Sequence, residues 1–267
     1  DAAGVHPLLL AIGSERYTPY MQVKGPAEIL TIANHILGTG QLSLAKFLFI
    51  TADDSGKLST YNEQHFFEYV LERIDFEKDV HFYTNTTIDT LDYSGTDINS
   101  GSKVVFAAYG DIKRELCKSV PGIFKETNMI QDAKLAIAGV VCITLKKFTS
   151  YDNAGKEVQE LEAALRLHAE ALKGIAMLVI CDDAGFAADK LNNFLWISFT
   201  RSNPSHDIYG VDAYYESKHW GCRGALIIDA RIKPHHAPVL EKDMETEKRI
   251  DRIFEKGASL YGIKNIS

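Results

Sequence analysis

Lys46-Phe47-Leu48-Phe49-Ile50-Thr51-Ala52-Asp53-Asp54 and Ile175-Ala176-Met177-Leu178-Val179-Ile180-Cys181-Asp182-Asp183 decide the fold between them. Each is a short apolar run closed by two carboxylates, and the two lie 129 positions apart. Such runs, bounded by turn formers, read as strands buried on both faces of a covered sheet. Upstream, Pro7 to Tyr20 recurs as Ala138 to Tyr151 at an offset of 131. Downstream, Phe66, Arg73, Asp79 and Val80 recur as Phe194, Arg201, Asp207 and Ile208 at a constant offset of 128. Gly101-Ser102-Lys103 and the apolar run after it then match Gly221-Cys222-Arg223 and the run Leu226 to Asp229. The order is kept throughout, so the chain contains an internal repeat of one α/β module.

Each copy reads as strand, helix, strand, helix, strand, closing strand. Pro26 opens a helix whose Ile29, Ile32, Ala33, Ile36 and Leu37 share one face; Val158, Leu161, Leu165, His168 and Leu172 form the counterpart. Second helices are expected over 62–73 and 187–199, further strands over 80–83 and about 208–211, and closing strands over 104–108 and 225–229. This pattern predicts an α/β fold: two tandem units with largely parallel or mixed sheets flanked by helices, plus a C-terminal amphipathic helix. The expected division is a first unit over 1–119, a linker over 120–134, a second unit over 135–240 and a helical tail over 241–267.

Composition narrows the function classes. With 267 residues, 46% hydrophobic and 24% charged, the chain is globular, and a net charge of −7 argues against nucleic acid, which needs a basic face. The longest apolar runs fall well short of the about 20 residues that cross a bilayer. Cys117, Cys142, Cys181 and Cys222 are widely spaced with no C-x-x-C, which suits reduced thiols and a cytoplasmic protein. The chain starts at Asp1 and enters an apolar run by Val5, which suggests a fragment of something longer.

The polar motifs each carry two readings. Asp53-Asp54 and Asp182-Asp183 follow parallel strands, where open α/β sheets place ligands, yet an aspartate there also caps the next turn. Gly38-Thr39-Gly40-Gln41 lacks the lysine of a phosphate-binding loop and reads as a helix C-terminus. In Thr200 to Asp207, Arg201 offers a fork suited to carboxylate or phosphate, or a structural pair with Asp207, while Asn203 is a turn former. Lys218-His219-Trp220-Gly221-Cys222-Arg223 gathers an imidazole, an indole and two cations, which reads equally as a polar site or as aromatic packing at a trimmed sheet edge. Arg231 to Pro238 contains adjacent His235 and His236, which in extended chain point to opposite sides and so do not readily share a metal ion. No nucleophile elbow or cysteine with a recognisable base is present, so no complete catalytic set, and no metal set, emerges from the residues.

Thr200 to Pro204, His219 to Arg223 and Ile228 to Pro238 strongly resemble the C-terminal part of UbiD-type decarboxylases, the 3-polyprenyl-4-hydroxybenzoate carboxy-lyase-like enzymes. The first unit resembles the C-terminal domain common to that family through the basic turn at Arg16-Tyr17, the helix ending His35 to Gln41, the strand to Asp53, and Leu91 to Ser94 leading to Gly101-Ser102-Lys103. The resemblance covers nearly the whole chain and matches a long-form member. It implies decarboxylation of aromatic or α,β-unsaturated acids, of the kind used in quinone biosynthesis, with prenylated FMN and a divalent metal bound by the full-length enzyme. It further implies a flavin prenyltransferase supplying the cofactor and a homo-oligomer. The family's catalytic residues lie in domains that this chain does not match, so no catalytic residue and no tightly held cofactor are expected here. By position, Arg16 falls near the flavin phosphate and Thr87 and Ile88 in a segment lining the substrate pocket. Two rival readings stand beside this one: a non-catalytic α/β binding or assembly module, and a small α/β enzyme using Asp53, Asp182 or His219 with a metal.

Overall fold

Period-two alternation along the central strands builds the molecule in layers. The computed structural model describes residues 7–17, 20, 25–53, 55–95, 97–237 and 243–263. The first half holds β1 (Leu8–Gly13), α1 (Ala27–Gly38), β2 (Phe47–Ala52), α2 (Glu63–Arg73), β3 (Val80–Thr86) and β4 (Gly101–Ala108). After α3 (Ile123–Glu126) and β5 (Asp132–Ile137) come β6 (Val140–Thr144), α4 (Tyr151–Arg166), β7 (Met177–Cys181), α5 (Ala184–Asp189) and α6 (Leu191–Thr200). Then follow α7 (Pro204–Asp207), β8 (Ile208–Gly210), a hairpin of β9 (Ala213–Glu216) and β10 (His219–Cys222), β11 (Leu226–Asp229) and finally α8 (Met244–Phe254).

The first sheet has the order β1-β2-β4-β3, with β3 antiparallel to its neighbour. The second has the order β5-β6-β7-β11-β8; without its extra edge strand β5 it repeats the first in order and in strand direction. Local bonds repeat as well. The Val104 amide donates to the Lys46 carbonyl at 2.9 Å, and Leu226 to Ala176 at 2.9 Å. Asp79 donates its amide to Asp75 at 2.8 Å, and Asp207 to Asn203 at 2.9 Å. The internal repeat is therefore structural, and the sheets are mixed.

Alternate residues of each sheet face different cores. Phe47, Phe49, Val104 and Phe106 from one sheet and Met177, Val179, Leu226 and Ile228 from the other enclose α2, α5 and α6 in one shared core. The opposite faces are covered separately: Leu48, Ile50 and Val105 by α1, and Val141, Leu178 and Ile227 by α4. The order is helix, sheet, helices, sheet, helix. Aromatic rings fill the middle layer: Phe49 stacks on Phe106 at 4.4 Å, and Phe199 meets Phe47 at 4.9 Å and Phe67 at 5.9 Å. Because both halves contribute to this core, residues 1–236 form one compact unit, and 237–267 a second.

Several details differ from expectation. The stretch 120–134 carries α3, whose Ile123 and Phe124 are buried, and the first residues of β5. The Gly139 backbone, at φ 78°, makes the sharp turn from β5 into β6 that an L side chain resists. The helix expected over 187–199 is two helices, because Lys190 is extended at φ −140° and breaks it. His168 lies beyond the end of α4, with a short 3-10 turn over Ala169–Leu172 following it. In the second unit, α8 is capped by the Asp243 side chain, which accepts the Glu245 amide at 3.0 Å. Pro238 and Glu241 lie outside the described residues.

Candidate functional site

Where β11 ends, the chain turns a row of charged residues inward. Asp229, Arg231 and Lys233 alternate along Asp229 to Lys233, and all three are buried. Arg231 grips Asp229 through Nη2 at 2.6 Å and Nε at 2.9 Å, while Nη1 donates to Glu157 of α4 at 2.6 Å and to the Lys146 carbonyl at 2.8 Å. Burial opposes its charge, but the hydrogen bonds to Asp229 and Glu157 prevail and raise its pKa. Lys233 donates to the carbonyls of Asp229 at 2.9 Å and Arg201 at 3.2 Å, and stands 3.2 Å from the Asp207 carboxylate.

Asp207 ends α7. Its Oδ2 accepts the Asn203 amide at 2.6 Å, and burial pushes its pKa up to about 6 against the pull of Lys233. Asp79, its counterpart in the first half, accepts the Asp75 amide at 2.8 Å and is also raised by burial to about 6, with Lys113 at 3.9 Å. The duplicated module thus repeats the buried acid at the same fold position, while its cation differs: a partly exposed Lys113 in the first half and a fully buried Lys233 in the second.

The first half reaches the same cluster through Lys46, which is fully buried. Lys46 pairs with Asp92 at 2.8 Å and donates to Ser94 at 2.7 Å, and burial lowers its pKa. The Ser102 hydroxyl donates to Asn203 and accepts the Ser205 amide at 2.8 Å. His235 Nε2 lies 3.3 Å from the Ser94 carbonyl. The network therefore stitches residues 46, 92–94 and 102 to residues 203–207 and 229–235 across the repeat.

Of the sequence candidates, Arg201, Asn203, Asp207, Arg231 and His235 converge here. Arg201 pairs with Asp182 at 3.5 Å, whereas Asp207 takes Lys233, so the Arg201–Asp207 pair is replaced by two others. Asp182 also accepts the Ile232 amide at 2.8 Å, and Asp183 caps α5 by accepting the Phe186 amide at 2.8 Å. Asp53 accepts the Ser55 hydroxyl at 2.6 Å and the Leu58 amide at 2.7 Å, which hold its pKa down to about 2; Asp54 lies outside the described residues. Asp53 and Asp183 therefore organise local turns, and Asp182 ties the segment after β11 to β7. His236 accepts the Lys233 amide through Nδ1, and among the described residues no three His, Cys, Asp or Glu side chains converge as a metal site.

Four candidates lie elsewhere. Arg16 is exposed, and the amides of Arg16 and Tyr17 both donate to Glu28, at 2.6 Å and 2.8 Å. Thr87 is exposed, while Ile88 is buried with its side chain against the Gly101 backbone. His219 faces His81 across a separate cleft, ring centroids 5.5 Å apart. Lys46, Asp92, Ser102 and Lys233 were missed by sequence reasoning; a lysine opening an apolar strand run was the one visible sign of Lys46.

Residues 1–108 match the family model described as 3-octaprenyl-4-hydroxybenzoate carboxy-lyase C-terminal domain. The chain carries a UbiD-type C-terminal domain. Two chlamydial proteins are similar over most of the chain. A Chlamydia pneumoniae protein whose name makes it one of the subunits of a 4-hydroxybenzoate decarboxylase is 30% identical over 248 residues, which is 93% of the chain and 38% of that protein. An uncharacterized protein of Chlamydia muridarum is 30% identical over 259 residues, 95% of the chain and 40% of the relative. The chain thus spans about two fifths of the length of these curated relatives. Among solved structures, vanillic acid decarboxylase of Sedimentibacter hydroxybenzoicus in open form aligns at 15% identity and TM-score 0.33, over 64% of the chain and 43% of that structure. An evolved dimeric form of the UbiD-class enzyme HmfF from Pelotomaculum thermopropionicum in complex with prFMN aligns at 14% and 0.31, over 48% and 27%. Among the described residues, no helix is long and apolar enough to cross a membrane.

Proposed function

We propose that this chain is the C-terminal portion of a UbiD-like decarboxylase of aromatic or α,β-unsaturated acids, supplying a rigid pocket wall and an oligomer interface. The observation that carries this reading is the fused double module. Two sheets share one core, and the buried charges at their junction are satisfied by each other. Such a network positions a surface rigidly and leaves little free to react. The match to a protein named as part of a decarboxylase, over 93% of the chain, gives the direction of the assignment.

The prenylated flavin belongs to the longer polypeptide in this reading. A flavin phosphate needs free amides or cations to cradle it. The Arg16 and Tyr17 amides are committed to Glu28, whose carboxylate would repel a phosphate, so the residues described at this turn do not make that cradle alone. Arg16 is left as a peripheral contact. Thr87 is offered as a point of contact with the pocket; Ile88 supports it from beneath. A flavin prenyltransferase is the cofactor source that this reading requires.

The test is to express the complete reading frame encoding this chain together with a flavin prenyltransferase and to measure CO2 release from 4-hydroxybenzoate and from unsaturated acids. Release by the complete protein, and none by the 267-residue chain, is expected. Decarboxylation by the 267-residue chain alone, or by neither protein on any acid, would overturn the assignment.

A further inference from the structure

Among the described residues, the hairpin β9–β10 has no counterpart in the first half, and it builds a cleft of about 410 Å³ against β3 and α7. The cleft is held open by fixed contacts. The Tyr214 hydroxyl donates to Glu77 at 2.8 Å, and the Cys222 amide donates to the Phe76 carbonyl at 3.1 Å. A Cβ on Gly210 would come 2.4 Å from Cys222, so glycine lets β8 approach β10, the strand that carries Trp220. Trp220 also meets Phe82 edge-on at 5.4 Å. The indole is a pre-set platform.

Among the described residues, the one Lys or Arg side chain in the lining is Lys218. His81 from β3 and His219 from β10 face each other with both Nε2 atoms buried, and burial together with His219 lowers the His81 pKa to about 4, which keeps it neutral. Lys218 stands at the mouth, and Thr84 adds a hydroxyl. Among the described residues no carboxylate lines the cleft, although the chain as a whole carries −7. A cation would meet Lys218 and find no counter-charge. Ser217 and Lys218 form the hairpin tip with φ of 50° and 68°, a conformation that asparagine or glycine fills more cheaply. A lysine is kept there against backbone preference.

We propose that this cleft binds a single-ring aromatic anion, carboxylate or phosphate, with the ring on Trp220 and the charged end at Lys218. The site stands apart from the decarboxylase reading, because nothing need react and the readout is binding.

The chain has two tryptophans, Trp220 and the half-exposed Trp196, so a Trp196→Phe background isolates the platform's fluorescence. Titration with benzoate or phenyl phosphate should give a saturable change, and the tighter of the two identifies the head group. Cyclohexanecarboxylate and benzyl alcohol should each bind ~10-fold more weakly, one lacking the ring and the other the charge. Lys218→Gly should weaken binding ~10-fold while raising the melting temperature, because it removes the charge and relaxes the turn. Linear quenching without saturation by both anions, equal affinity for either control, or unchanged affinity in Lys218→Gly would each overturn the proposal.

Discussion

Asp207 and Lys233 share one buried position, and neither is stable there without the other. Replacing Lys233 by Met leaves the Asp207 carboxylate without its cation and should cost about 3–5 kcal/mol in urea denaturation at pH 7.5. A loss well under that range would show that water reaches the acid. Acid behaviour is set by residues pulling in opposite directions. His236 is held neutral, its pKa lowered to about 3 by burial and then by Lys233. The unfolded chain protonates it first, so its contribution is present above about pH 6.5 and is lost as pH falls through the folded value. Asp207 and Asp79, raised to about 6, do the reverse: the folded chain takes their protons first, and their contribution fades as pH rises through about 6. His236→Asn removes one side of this balance. Its stability relative to the parent should improve steadily as pH is lowered from about 6.5 toward 4, whereas a pH-independent difference would refute the assignment. Much of this was hidden in the sequence. Arg201 and Asp207 were visible as polar residues in one stretch, but their partners, Asp182 and Lys233, sit on other segments and carry no local signal.

The parallel strands were legible, because residues buried on both faces leave an apolar run that nothing else explains. Helices α1, α2 and α4 announced themselves by their apolar stripes. What escaped were β5 and the hairpin β9–β10, which are half-exposed with mixed patterning, and the break at Lys190, where no glycine or proline marks the kink. The helix α8 is strongly amphipathic, and its Met244, Ile250 and Ile253 remain exposed. In the proposed assembly these side chains are covered by a neighbouring protomer. A double substitution, Ile250→Glu with Ile253→Glu, should therefore move the protein toward monomer in sedimentation velocity at unchanged melting temperature; an unaltered sedimentation coefficient would remove α8 from the interface.

At the level of the molecule, the sequence division into tandem units meets a shared interior. Residues 1–119 expressed alone would lay bare Phe47, Phe49, Phe67 and Phe106, a cluster that in the intact chain packs against Phe199 and Phe194. That exposed area is large enough to drive association or a loosely packed state. Either half alone should bind a hydrophobic dye and lack sharp amide dispersion, and mixing the two should restore both; two independently folded halves would contradict the layered core. A repeat is readable from one copy's likeness to the other, but whether the copies lie in line or face to face depends on which side of each sheet is aromatic, and that is settled only by packing.

The common helical layer also bears on descent. A lone ancestral copy would have carried an uncovered aromatic face, and the simplest molecule able to hide it is a second identical one set against the first. The present chain then looks like an old homodimer whose two protomers became continuous, after which β5 and the β9–β10 hairpin could be added to one side without disturbing its twin.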